Sequence, residues 1–127
     1  MFNTLLVEDN ISYRQKLSDA LLLHFPLIGV DEARDGKEAL NKVEYRRPDL
    51  IFMDIQLPGK NGLDVTKEIK RVYNEIVIVI LSSKNKPEYR QQAFRNGADY
   101  FLSKEDDFCM ENILTRVDVV LARASHH

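Results

Sequence analysis

Four apolar runs in this chain each end on a polar residue able to do chemistry. Thr4-Leu5-Leu6-Val7 is closed by Glu8 and Asp9, and Leu50-Ile51-Phe52-Met53 by Asp54. Ile76-Val77-Ile78-Val79-Ile80-Leu81 is closed by Ser82, and Tyr100-Phe101-Leu102-Ser103 by Lys104. Runs this short and this apolar predict strands buried on both faces, as in a parallel sheet. Strands are expected over 3–8, 27–33, 49–54, 76–82 and 99–103. Helices are expected between them, over 11–24, 36–46, 62–73 and 87–96, with a last one over 106–123. That last helix has a clear apolar stripe in Ile113, Leu114, Val117, Val120 and Leu121, at helical spacing. Val65, Ile69 and Val72 mark the third helix in the same way. Gly97 reads as a left-handed helix stop, Pro87 as a first-turn proline, and Asp35-Gly36 and the stretch 58–62 as turns.

Strict alternation of strand and helix implies right-handed crossovers and helices on both faces of the sheet. The expected fold is α/β: a doubly wound, five-stranded parallel sheet of order 2-1-3-4-5 flanked by five helices, flavodoxin-like. All the closing residues then gather at the carboxyl edge, where such folds bind ligands. With strands about 4.8 Å apart, Asp54 stands one strand from Glu8 and Asp9 and one from Ser82. Lys104 stands two strands away, about 10 Å, within reach of a long side chain.

A chain of 127 residues suits one domain, expected over 1–124. Residues 125–127 read as a tail: the closing His126-His127 is a native end or a purification-tag remnant rather than a metal site. With 44% hydrophobic and 30% charged residues the chain is globular rather than disordered. A net charge of -2 gives no support for direct nucleic-acid binding. The single cysteine, Cys109, excludes an internal disulfide and suits a reducing, cytoplasmic setting. No apolar run approaches the roughly 20 residues of a membrane span, and the opening residues carry no basic signal-peptide region.

Alone, each closing residue is an ordinary solvated turn former; together they form a kit. Three converging carboxylates repel one another unless a cation offsets them, and hard oxygen donors favour Mg²⁺. Asp54, ending a buried strand, is a candidate nucleophile toward a phosphoryl group. Lys104 offers a point charge to a phosphate oxygen, or to Asp54 in its absence. Ser82, or Ser83 beside it, offers a hydroxyl. His24 reads as a surface or cap residue, and Cys109 as a small helix residue with no cationic cluster to activate it.

With these residues in hand, the chain resembles the receiver domain of two-component response regulators over essentially its full length. The resemblance rests on Leu5-Leu6-Val7-Glu8-Asp9-Asn10, the run from Pro48 to Gly59 around Asp54, Asn61-Gly62-Leu63, Ile80-Leu81-Ser82, and the run from Gly97 to Lys104. It implies that Asp54 accepts phosphate from a histidine kinase or histidine phosphotransfer protein. It also implies that Glu8, Asp9, Asp54 and the backbone carbonyl of Gln56 hold Mg²⁺. Ser82 and Phe101 match the family's hydroxyl and aromatic switch positions, and Lys104 its lysine. Phosphorylation would draw Ser82 toward the phosphate and let Phe101 turn inward. That would reshape the face made by the fourth helix, fifth strand and fifth helix, where a homodimer could form. Tyr89, Phe94, Tyr100 and Arg95 are candidate output residues, Tyr13 a candidate kinase-facing residue, and Gln56 and Lys84 candidate tuners of dephosphorylation.

Many receivers place a proline, often cis, after the lysine; here Glu105 follows, and a non-proline cis bond costs about 2.5–4 kcal/mol. The departure resembles the subgroup attached to LuxR-type DNA-binding domains. The expected output is transcription, through a domain absent from this chain; the alternative is a stand-alone receiver acting by protein contact. A haloacid-dehalogenase-type hydrolase would need an Asp where Gln56 stands, a nucleophile on the first strand, and a cap. A flavodoxin would need a Ser/Thr/Gly-rich loop where Glu8-Asp9 stands. A receiver-like scaffold that never takes phosphate would not need every site position filled.

Overall fold

Strand β3 (Leu50–Asp54) runs through the centre of the molecule with every residue buried. It sits in a five-stranded parallel sheet with β1 (Asn3–Val7), β2 (Gly29–Ala33), β4 (Val77–Ser82) and β5 (Tyr100–Ser103), in the order β2-β1-β3-β4-β5. Helices α1 (Ile11–His24), α2 (Gly36–Tyr45), α3 (Gly62–Val72), α4 (Pro87–Arg95) and α5 (Cys109–Ala124) alternate with the strands. The computed structural model describes residues 1–84 and 86–124. The expectation for His126 and His127 lies outside the described residues.

The fold class and strand order are those expected. Alternate residues of the strands feed two separate cores, as the period of two requires. Leu5, Val7, Ile51, Met53, Ile78, Ile80 and Phe101 pack with α2, α3 and α4. Leu6, Leu50, Phe52, Val79 and Leu81 pack with α1 and α5. In-register pairing aligns Val7 with Met53, Asp54 with Leu81, and Ser82 with Ser103. The strand ends therefore share one edge.

Side-chain caps fix how the chain leaves that edge. The Asn10 Oδ1 accepts from the Tyr13 N–H at 2.9 Å, the Asp35 Oδ1 from Glu38 at 2.8 Å, and the Asn61 Oδ1 from Asp64 at 3.0 Å. Each such cap contributes about 1 kcal/mol and sets the first turn of its helix. At the far end of α4, Gly97 has φ +104°, and Ala98 N–H donates to Ala93 O at 3.0 Å, closing the helix.

Two boundaries shift by more than one residue. Strand β2 begins at Gly29 rather than 27, because the chain turns there: Ile28 N–H donates back to Phe25 O at 3.2 Å and Leu27 is 87% exposed. Helix α5 begins at Cys109 rather than 106. The Asp106 side chain accepts from Phe108 N–H at 2.8 Å and its carbonyl from Cys109 N–H at 3.0 Å, which holds 106–108 in a turn. Among the described residues every peptide bond is trans, including the one before Glu105.

Candidate functional site

Three of the expected residues meet at the carboxyl edge of the sheet. Asp54, the last residue of β3, is 8% exposed, and Glu8, just past β1, is 4% exposed. Lys104 follows β5 and reaches across β4: its ammonium pairs with Glu8 Oε1 and lies 3.6 Å from Asp54 Oδ2. The lysine therefore engages both carboxylates, Glu8 more closely than the Asp54 partner anticipated.

Glu8 is held from several sides. Its Oε2 accepts from Asn10 N–H at 3.1 Å, and its backbone carbonyl accepts from Arg14 Nη1 at 2.8 Å. The Arg14 Nε in turn lies 3.4 Å from Glu32 on β2. Asp54 feels the crowding most. Burial, and then the negative Glu8 beside it, push its carboxyl from 3.8 up to about 6. The Lys104 ammonium and a hydrogen bond from the Gln56 backbone pull the other way. Net repulsion between acids that one lysine does not fully offset leaves the site short of positive charge.

The remaining expected residues are more dispersed. Asp9 is exposed at the rim, and the Gln56 side chain is exposed as well. Among the described residues no three His, Cys, Asp or Glu side chains are already arranged around a metal position. Ser82 is buried, and its Oγ donates to Lys84 O at 3.1 Å while accepting from Lys84 N–H at 2.9 Å. It thus pins the loop after β4 rather than touching Asp54. Phe101 is only 8% exposed, so its ring already lies inward. The Arg90 guanidinium stands 5.8 Å from that ring and 5.5 Å from Phe94, which is 42% exposed. Arg116 covers Tyr100 at 4.6 Å. His24 ends α1 with Nδ1 3.0 Å from Ala20 O.

Sequence reasoning missed Arg14 as a neighbour of the site and placed Tyr13 only as a candidate kinase-facing residue. Arg14 braces the Glu8 backbone, and the Tyr13 ring lies 4.3 Å from the Lys104 ammonium. Burial first, and the neighbouring Cys109 next, raise the pKa of the Tyr13 hydroxyl; burial also raises the Cys109 thiol. The only sequence signal for either was position, in the first turn of the helix that follows the acidic pair.

Geometry of this kind has known counterparts. The family model for the response regulator receiver domain matches residues 4–118. Response regulator MprA of Mycobacterium sp. (strain KMS) is 31% identical over 121 residues, 95% of this chain and 51% of that protein. The protein-glutamate methylesterase/protein-glutamine glutaminase of Bacillus subtilis (strain 168) is 34% identical over 105 residues, 82% of this chain and 29% of that protein. The chain thus spans about half the length of the MprA relative, or less than a third in the second case. The crystal structure of a two-component response regulator from Clostridium difficile superposes with a TM-score of 0.87 at 27% identity, covering 98% of each chain. With the matching model spanning nearly the whole sheet and its helices, the chain belongs to the response regulator receiver domain family.

Proposed function

We propose that this receiver is switched by phosphorylation of Asp54, taken from the phosphohistidine of a histidine kinase or histidine phosphotransfer protein. Membership of the family makes it a component of phosphorelay signalling, one that assists its own phosphoryl transfer and is not a classical enzyme. The observation that carries the finer reading is the meeting of Asp54, Glu8 and Lys104 at one sheet edge, with the lysine 3.6 Å from the acceptor oxygen.

Mg²⁺ is typical of this family, and the donor types fit it: the carboxylates of Glu8, Asp9 and Asp54 and the Gln56 carbonyl, which would hold it, are all hard oxygens. The raised Asp54 carboxyl is what a cation-deficient acidic site produces. Bound there, the metal would offset charge on the transferring group and its acceptor. The chain's own residues do the rest. An Asp54 carboxylate oxygen attacks phosphorus; the bond from phosphorus to the donor imidazole nitrogen breaks, and that nitrogen keeps the electron pair. Glu8 would be among the residues that hold the metal, and its release of Lys104 would free the ammonium for a phosphoryl oxygen. Ser82 leaves the Lys84 backbone to donate to another oxygen, and Phe101 adjusts in the space beside it. That changes the α4-β5-α5 face and biases a two-state surface.

The output proposed is transcription, through a DNA-binding domain joined to the receiver, with dimer contacts on the α4-β5-α5 face. A stand-alone receiver is the alternative reading, and the methylesterase relative is a reminder that receivers are joined to enzymes too. A cytoplasmic setting suits partners of this kind, and among the described residues no helix is long and apolar enough to cross a membrane.

Intact mass after incubation with acetyl phosphate tests the acceptor directly. A gain of one phosphoryl group that needs Mg²⁺ and is lost in Asp54→Asn is the expected result. Folded protein that neither gains a phosphoryl group nor binds beryllofluoride would overturn the reading.

A further inference from the structure

We infer that Tyr13 is a positioning residue, its ring the platform that keeps the Lys104 ammonium beside Asp54 when Glu8 releases it. The inference rests on the acceptor reading above and concerns the same site.

Among the described residues the Lys104 ammonium meets the Glu8 carboxylate, Asp54 Oδ2 at 3.6 Å and the Tyr13 ring at 4.3 Å. Its side chain is 15% exposed, so little water is available to replace a lost partner. Glu8 cannot serve both a metal and the lysine. When it turns away, the ammonium keeps only Asp54, whose charge is then shared with the phosphoryl group. The π face of Tyr13 is the one neighbour that no step of the reaction removes. Its attraction for a cation is stronger at a desolvated site such as this than at an exposed one.

The ring is fixed at its base. Its backbone N–H sits in the first turn of α1, capped by Asn10 at 2.9 Å. Its hydroxyl end lies beside Cys109, the first residue of α5. The platform therefore stands between the helix after the acidic pair and the helix after the lysine. Simple core filling would ask only for an apolar side chain here. The cation over the ring face is not needed for packing.

The test follows phosphorylation by acetyl phosphate in Mg²⁺ by intact mass, across donor concentrations. Tyr13→Leu is expected to lower the maximal rate by about 5- to 30-fold, the range of a desolvated cation–π contact, with the half-saturating donor concentration little changed. Tyr13→Phe keeps the ring and is expected to stay near wild type. In a Lys104→Ala background Tyr13→Leu is expected to add nothing. Should Tyr13→Leu fold poorly, Tyr13→Met offers similar bulk without the ring. An unchanged rate in Tyr13→Leu, an equal loss in Tyr13→Phe, or the same loss with Lys104 absent would each overturn the inference.

A second readout does not depend on phosphoryl transfer. The Lys104 Cε protons are expected to show an upfield ring-current shift by NMR that survives addition of Mg²⁺ and of Tyr13→Phe and disappears in Tyr13→Leu. Its disappearance on adding Mg²⁺ would overturn the platform. Failure of wild-type protein to take phosphate while this shift persists would instead count against the acceptor reading.

Discussion

Asp54→Asn is expected to make the metal-free protein more stable at neutral pH. In the folded chain the Asp54 carboxyl sits at about 6 rather than 3.8, because burial and Glu8 disfavour its charge more than Lys104 favours it. The folded state therefore holds this proton more tightly than the unfolded chain does. Below about pH 4 both states keep the proton and the group has no effect on stability. Between about pH 4 and 6 the unfolded chain releases it first, so stability falls as pH rises. Above about pH 6 the loss is complete: at 1.36 kcal/mol per pH unit the displacement amounts to about 3 kcal/mol. Asparagine has no charge to desolvate and keeps nearly the same shape. The variant should exceed wild type by about 2–3 kcal/mol at neutral pH, with the gap closing toward pH 4. Mg²⁺ should narrow the gap from the other side, by stabilising wild type alone. Urea unfolding followed by circular dichroism, with both proteins measured at each pH, reads the difference while other titrating groups cancel. A gap that does not change between acid and neutral pH, or a less stable variant at neutral pH, would refute the reasoning.

Two further substitutions probe the frame around the acceptor. A Cβ on Gly62 would lie 1.9 Å from the Asp54 carbonyl oxygen and 2.8 Å from its carbon. Gly62→Ala must therefore displace α3 or the acceptor's own backbone, and is expected to cost about 2 kcal/mol or more and to slow phosphoryl uptake; urea unfolding and intact mass read the two effects. Ser82→Ala removes both hydrogen bonds to the Lys84 backbone; amide hydrogen exchange at Lys84 should rise, while phosphoryl uptake persists at a reduced rate.

How much of this could be read in the chain varies with the range of the interaction. The uniformly apolar run before Asp54 became a strand buried along its whole length, since nothing but a two-faced core can accommodate it. The parallel sense of the strands followed from alternation, and with it the shared edge; the strand order was chosen because it sets Asp54 beside Glu8, Asp9 and Ser82. Leu27 misled because an apolar residue beside a strand looks like part of it, whereas a turn leaves it 87% exposed. The start of α5 was obscured because Asp106 can begin a helix or close a turn, and which it does depends on backbone beyond it. Lys104 and Glu8 are 96 residues apart; their pairing follows from topology, but the lysine's preference for Glu8 over Asp54 depends on distances of an ångström or so. Tyr13 over Lys104 was out of reach, because it turns on the rotation of α1 about its own axis.

Strand β5 stands at the margin of the sheet, bonded to β4 on one side only, and four residues long. Phe101 lies on it and Lys104 directly follows it. A shift of this strand strains one ladder, where a shift of β3 would strain two. On the proposed reading the acceptor Asp54 thus sits at a centre held on both sides, and the residues that would respond to it sit at a border held on one. Phosphorylation at the centre would then move the border without loosening the rest of the sheet. The short length of that border also leaves few open backbone groups for an unrelated strand to pair with, so compliance is obtained without a long adhesive edge.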